Sequence, residues 1–209
     1  DCLGKAFPLP GVIHGCYRGS RSASAMVAAT VSFHSLLGTW SKAVDLFIVY
    51  SQFAMEKFIQ GGIPAEKLAF KTNFLHPVPA PGDGKGGYAV FVGRLSIEKR
   101  LGVMLEAWRQ LNHKIPLQIL GDGPMAGLVT EAVKEMPEIE WLGRRPLEEV
   151  YEIVGNAAFM VFPSEWYETF GRVAIEAFAK GTPIVASNIG AIAELVDRER
   201  NGLLFRPRD

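Results

Sequence analysis

Cysteine is scarce in this chain of 209 residues, which contains only Cys2 and Cys16. Two thiols cannot build a disulfide scaffold, and this favours a reducing compartment. Ordinary reduced cysteines are one interpretation; half of a four-thiol metal site, completed by an upstream segment, is the other. Neither sign of charge is in excess, because 22 Lys and Arg balance 22 Asp and Glu. We expect no nucleic-acid partner, since polyanions require a basic surface, although a local patch for one phosphate group stays open.

We also expect no signal peptide, and the sequence has no uninterrupted apolar run of bilayer length. Its most apolar window, residues 22–40, is interrupted by Ser, Thr and His34. Such a window predicts a helix buried between protein layers rather than a membrane span. The expected location is the cytoplasm, with peripheral attachment to the inner membrane left open.

Proline and glycine dominate one segment, His76–Gly87, which we interpret as a linker. It predicts two domains, residues 1–80 and 81–209. After the linker, short apolar strands alternate with amphipathic helices five times, which is typical of an α/β fold with a doubly wound parallel sheet. Before it, a long helix and two strand-length runs, Val44–Ser51 and Leu68–Asn73, predict an incomplete α/β domain. Ligands of such sheets bind at the carboxyl ends of the strands.

The first strand after the linker is followed by a basic turn with Gly93, Arg94 and Lys99, and by a helix predicted over residues 97–111. Glycine allows a ligand to approach the backbone, and the two cations could together hold a diphosphate. The alternative is a solvated turn in which Arg94, Lys99 and Arg100 pair with Glu98 or water. On these residues alone, both interpretations stay open.

A glycine-rich turn follows the next strand, with Gly121, Gly123 and Gly127. Their spacing, G-x-G-x-x-x-G, differs from the dinucleotide fingerprint, which makes a nicotinamide-dependent oxidoreductase a weak alternative. A tight turn that lets a ligand near the backbone fits better, followed by a helix with Pro124 in its first turn.

Two glutamates lie around a predicted helix start late in the chain, Glu168 before it and Glu176 on it. Carboxylates accept hydrogen bonds from adjacent sugar hydroxyls, so one could hold a ribose and the other a hexose. The backbone N–H groups of the helix start suit anions or polarised oxygens. Alternatively, Glu176 pairs with Arg172 and Lys180, and Glu168 is an acid favoured by the helix dipole.

Taken together, these three loops and the segment "GTPIVASNIGAIAEL" resemble the donor-binding half of glycosyltransferase family 4, the group 1 transferases of the GT-B class. The resemblance covers residues 88–209, and more loosely the segment before the linker. It implies a metal-independent, retaining hexosyltransferase that uses a UDP- or GDP-linked sugar, without a cofactor, and an acceptor that is an unknown carbohydrate or lipid-linked molecule.

The resemblance also implies roles for individual residues. Arg94 and Lys99 would neutralise the leaving diphosphate, Glu168 would face the donor sugar, and Glu176 would bind the ribose. The remaining donor-binding positions are backbone and turn residues: Gly93, Gly121, Gly123, Thr169, Phe170 and Gly171.

Two departures from the family pattern are visible. Gly190-Ala191 stands where the family often has two glycines. The acceptor domain is expected to be incomplete, because the family's first strands and site histidine have no counterpart. A nucleotide-sugar-binding fragment without transfer activity is therefore the alternative function, and self-association through open apolar surfaces is expected.

Overall fold

The computed structural model describes residues 2–198 and 200–207, and within them the chain forms two compact units. The first unit ends at Thr72 and the second begins at Asn73. Residues 1, 199, 208 and 209, which include the outer ends of both predicted domains, lie outside the described part.

The first unit is a small α/β arrangement around two short parallel strands. Its strands β1 (Phe47–Val49) and β2 (Leu68–Phe70) pair with Ile48 opposite Ala69. Its helices are α1 (Leu9–Ile13), α2 (Arg21–Leu36), α3 (Thr39–Lys42) and α4 (Gln52–Gln60). The long helix predicted over residues 22–40 is thus two helices. Gly38, at φ +67°, separates them, because left-handed backbone ends a right-handed helix.

The predicted burial of this long helix is not found within the first unit. In α2 only Ser24 and Ala28 are buried. By contrast, Met26 is 74% exposed and Leu36 is 86% exposed. An apolar hollow of about 670 Å³ lies in the same unit, lined in part by Val31, Trp40 and Phe58. Among the described residues, none of the helices is long and apolar enough to cross a bilayer.

The second unit contains a six-stranded sheet in which every pairing is parallel. Its strands are β3 (Ala89–Val92), β4 (Leu117–Leu120), β5 (Ile139–Gly143), β6 (Phe159–Phe162), β7 (Ile184–Ser187) and β8 (Gly202–Phe205). They lie in the order β5-β4-β3-β6-β7-β8. The chain therefore runs outward from β3, returns beside it at β6 and runs outward again. This is the doubly wound topology that the sequence predicts, with its switch point between β3 and β6.

Helices cover both faces of this sheet. They are α5 (Leu101–Leu111), α6 (Ala126–Glu135), α7 (Leu147–Asn156), α8 (Arg172–Ala179) and α9 (Gly190–Leu195). Alternate residues of β3 enter the two cores: Phe91 packs with residues of α5 and α6, and Val90 with residues of α7, α8 and α9. Burial on both faces explains why the strands are continuous apolar runs.

Two sequence predictions need correction in the second unit. Helix α6 begins at Ala126 after Met125, so Pro124 precedes the helix rather than lying in its first turn. The helix predicted from Ile97 is also interrupted, because a 3-10 turn over Ile97–Lys99 is followed by Arg100 in left-handed backbone.

The predicted linker is anchored on the second unit for part of its length. The backbone N–H groups of Gly82, Gly84 and Gly86 donate to the carbonyl oxygens of Lys180, Gly155 and Asn156. These bonds hold the segment against the ends of α7 and α8.

Candidate functional site

The predicted site residues lie on three loops at the carboxyl edge of the second unit's sheet. Two of these loops, residues 93–100 and 163–171, follow β3 and β6, the neighbouring strands at the switch point. The third, residues 121–125, follows β4 on the other side of β3. This crevice is where open α/β sheets place their ligands.

The loop after β3 is held in place by the loop after β4. The buried Leu95 donates its N–H to the carbonyl oxygen of Asp122 at 3.0 Å and accepts from the N–H of Met125 at 2.9 Å. A Cβ on Gly121 would overlap the carbonyl oxygen of Gly93, and one on Gly123 would overlap that of Leu95. Both glycines are therefore required for the close approach of the two loops.

Gly93 is different, because the fold places no such demand on it. A Cβ at this position would meet only the ring of Phe91, at 3.4 Å, which is ordinary contact. The next side chain, Arg94, is exposed. The space at the Cβ position of Gly93 is therefore not filled by another backbone segment, and the next residue carries an accessible guanidinium group.

Lys99 and Glu168 form an ion pair that joins the loops after β3 and β6. Their side chains are 22% and 20% exposed, so the pair is largely shielded from water. The hydroxyl of Ser164, a buried residue, lies 3.2 Å from the same Glu168 oxygen. The Lys99 ammonium group also lies 5.4 Å from the centre of the Phe162 ring. The structure thus brings together two residues that the sequence places in separate loops.

Among the described residues, Lys99 and Arg100 form their ion pairs with Glu168 and Glu165 rather than with Glu98. The Glu98 carboxylate accepts from the Ser96 hydroxyl at 2.7 Å. This hydrogen bond is the main reason why the pKa of Glu98 is lowered, and its own backbone N–H and the charges of Lys99 and Arg94 act in the same direction. Glu98 is thereby kept ionised beside the two cations.

The start of α8 is shaped by Gly171 and Phe170. Gly171 is the residue before the helix, at φ +89°, and a Cβ there would overlap the side chain of Ile192. Phe170 is buried, whereas Thr169 is exposed. The glycine is therefore needed by both backbone conformation and packing, and it brings the first turn of α8 to the crevice.

Glu176 lies further along α8 and has its own partner. Its side chain is 12% exposed and accepts from the Arg172 guanidinium at 2.9 Å. The predicted i,i+4 pairing is thus found for Arg172, whereas Lys180 donates to the carbonyl oxygen of Ala80 instead. Burial and the charge of Glu176 raise the pKa of Tyr151, which places this tyrosine near the carboxylate. No hydrogen bond or ion pair within the described residues joins Glu176 to Lys99 or Glu168.

Three residues at this edge were missed by reasoning from the sequence. Ser164 contacts Glu168, and Arg100 forms an ion pair with Glu165 at 2.7 Å. The available signal was adjacency: Arg100 follows Lys99, and Glu165 and Ser164 precede Glu168 by three and four positions. In the described part of the chain, no group of three or more His, Cys, Asp or Glu side chains is arranged to hold a metal ion.

Comparison with solved structures supports the fold assignment. HepE from Anabaena, solved in complex with UDP-glucose, superposes with a TM-score of 0.74 at 21% identity, over 87% of this chain and 55% of that one. TarM superposes with a TM-score of 0.69 at 20% identity, over 86% of this chain and 36% of that one. The fold is accordingly of the GT-B type.

Comparison with sequences gives the family. The glycogen synthase of Mycobacterium tuberculosis is 33% identical over 157 residues, which are 72% of this chain and 36% of that protein. An uncharacterised glycosyltransferase of Methanocaldococcus jannaschii is 31% identical over 66% of this chain and 36% of its own length. The chain thus spans about a third of the length of these relatives. The family model "Glycosyl transferases group 1" matches residues 86–209, more than half of the chain, and the chain therefore belongs to the group 1 glycosyltransferases.

Proposed function

We propose that the second unit binds a UDP- or GDP-linked sugar at the crevice between β3 and β6. The observation that carries this proposal is the contact of Lys99 with Glu168 at the switch point. It places a cation suited to a diphosphate beside a carboxylate suited to sugar hydroxyls. HepE, a neighbour in fold, was solved with UDP-glucose, which is consistent with this class of ligand.

In this proposal, the diphosphate lies at the open end of β3. Gly93 allows it to approach the backbone, and the exposed Arg94 donates to phosphate oxygens in a planar fork. Lys99 leaves Glu168 and pairs with a phosphate instead. The two cations then stabilise the negative charge that grows on the leaving diphosphate, so that neither a metal nor a cofactor is required.

In the same proposal, the two glutamates contact the two sugar groups of the donor, the transferred hexose and the ribose. Glu168, released by Lys99, accepts hydrogen bonds from the transferred hexose beside Thr169, Phe170 and Gly171. Glu176 accepts from the ribose, for which the Arg172 guanidinium must yield at least one carboxylate oxygen. The whole enzyme transfers the sugar with retention of configuration to a carbohydrate or lipid-linked acceptor.

Donor binding without transfer is the second candidate function. The observation in its favour is that the proposed donor-binding residues all lie in the second unit, with Lys99–Glu168 and Glu176 among them. Self-association of the chain also stays a prediction. The exposed apolar side chains of α2 motivate it, and light scattering would test it.

The proposed function is tested by ligand-induced thermal stabilisation of the chain with UDP, GDP, their glucose and mannose conjugates, and NAD. We expect stabilisation by one nucleotide and its conjugates, and none by NAD. Lys99→Met should reduce the stabilisation, whereas Lys134→Met should not, because Lys134 is an exposed lysine paired with Glu131 on α6. A chain that no nucleoside diphosphate stabilises contradicts the proposal, and stabilisation by NAD alone favours an oxidoreductase. Release of free sugar from the bound donor separates transfer chemistry from binding alone.

A further inference from the structure

Arg100 combines an unfavourable backbone conformation with a buried polar atom that has no hydrogen-bond partner among the described residues. It precedes α5 at φ +50°, ψ +41°, a left-handed conformation that glycine adopts without steric cost and arginine does not. Its Nε is also buried, with no hydrogen-bond partner among the described residues. Strained backbone and an unpartnered buried donor both disfavour this residue, so any compensation must come from its remaining contacts.

The contact that compensates is the ion pair with Glu165. A terminal guanidinium nitrogen of Arg100 lies 2.7 Å from Glu165 Oε1, with the two side chains 34% and 19% exposed. Beside it, the Glu165 N–H donates to the Glu98 carbonyl oxygen at 3.0 Å. The loops after β3 and β6 are therefore joined by backbone and side chain together.

This second ion pair runs beside the one between Lys99 and Glu168. Consecutive cations on one loop hold two acids that are three residues apart on the other. If Lys99 turns to the diphosphate, as the proposed function requires, its contact with the loop after β6 is lost. The Arg100–Glu165 pair is then the remaining ion pair between the two loops in the described part of the chain.

We propose that Arg100 and Glu165 are positioning residues that hold the loop after β6, and with it Glu168, at the sugar while Lys99 is engaged by phosphate. The inference rests on the proposed function for its ligand, but the tie between the loops exists in the free protein. Arg100 acts through Glu165 and touches neither the sugar nor the phosphates.

The test is Arg100→Gly, which removes the ion pair and also relieves the left-handed strain. We expect the melting temperature to change by less than about 3 °C. The affinity for UDP-glucose should fall roughly fivefold, the scale of coupling between residues in contact, while the affinity for UDP stays within about twofold. Glu165→Gln, which keeps the shape, should reproduce this split. Arg109→Ala is the matched control, since Arg109 lies on α5, which follows Arg100, and bridges to Glu135 of α6; it should change neither affinity.

A second measurement does not depend on the donor. Amide hydrogen exchange of residues 164–171 in the free protein should become roughly tenfold faster in Arg100→Gly and stay unchanged in Arg109→Ala. Unchanged exchange, or an equal loss of UDP and UDP-glucose affinity together with a lower melting temperature, overturns the positioning role. If exchange accelerates but the wild-type chain binds no nucleoside diphosphate or its sugar, the tie between the loops stands and the proposed function is wrong.

Discussion

Replacing Glu168 by Gln should strengthen the binding of UDP, although the residue belongs to the proposed site. In the free protein the Glu168 carboxylate is the counter-ion of Lys99. A diphosphate that pairs with Lys99 must first break this ion pair. Its negative charge then lies close to that of the Glu168 carboxylate, which repels it. Glutamine keeps the shape and removes the charge, so both costs are reduced.

The size of the effect follows from the burial of the pair. Exposed ion pairs contribute about 0–1 kcal/mol, and hydrogen bonds to charged groups about 1.5–3 kcal/mol. With side chains 22% and 20% exposed, the Lys99–Glu168 pair falls between these ranges. A gain of about 1 kcal/mol corresponds to roughly fivefold tighter binding of UDP. UDP-glucose should gain less, because the variant also weakens the contact with the sugar.

Isothermal titration calorimetry of UDP and UDP-glucose against both proteins measures this difference. Glu131→Gln is the control for the loss of one negative charge, since Glu131 is an exposed residue paired with Lys134 on α6. Lys99→Met should weaken UDP in both backgrounds, and by more when Glu168 has been replaced. Unchanged or weaker UDP binding by Glu168→Gln, with a lower melting temperature, would refute the reasoning and make the pair a structural tie.

Three further predictions concern neighbouring residues. Gly93→Ala should leave the melting temperature nearly unchanged and weaken UDP in calorimetry, whereas Gly121→Ala should destabilise the fold in thermal denaturation, because its Cβ would overlap the Gly93 carbonyl oxygen. Glu176→Gln should weaken UDP by roughly 1.5–3 kcal/mol, the range for a hydrogen bond to a charged group, and barely change pyrophosphate binding in calorimetry. Ser96→Ala should raise the pKa of Glu98 measured by NMR, because the lost hydrogen bond is the largest cause of its lowered value. Because its folded-state pKa is lowered, ionised Glu98 stabilises the fold above its unfolded pKa, and this stabilisation is lost as pH falls through the folded pKa. The Ser96→Ala variant should therefore lose less stability than the wild type over this fall in pH.

The fold of the second unit was predictable because its strands are buried on both faces. Runs such as Ala89–Val92 and Phe159–Phe162 read as continuous apolar segments, and the helices between them are amphipathic. The alternation indicates parallel strands, but it does not contain their order. That β6 returns beside β3 is set by packing between distant segments.

The errors occurred where single residues decide the backbone. Gly38 ends α2 in left-handed backbone, yet an isolated glycine in an apolar window is also tolerated inside a helix. Pro124 has the fixed φ that suits a first helical turn. It belongs, however, to a loop in which Gly121 packs against Gly93, and α6 begins only at Ala126. Local patterns cannot show such tertiary constraints.

The individual residues of the candidate site could be predicted from the sequence, but the contacts between them could not. Lys99 and Glu168 could be chosen individually because each follows a predicted strand, but their contact spans 69 positions in sequence. The contact between Arg100 and Glu165 spans 65. Both contacts exist because the switch point brings the carboxyl ends of β3 and β6 together. The same topology brings the cations of one loop against the acids of the other. Each of these two cations is balanced by an acid from the opposite loop. In the proposed function, a diphosphate replaces Glu168 at Lys99, and the Arg100–Glu165 pair continues to join the two loops.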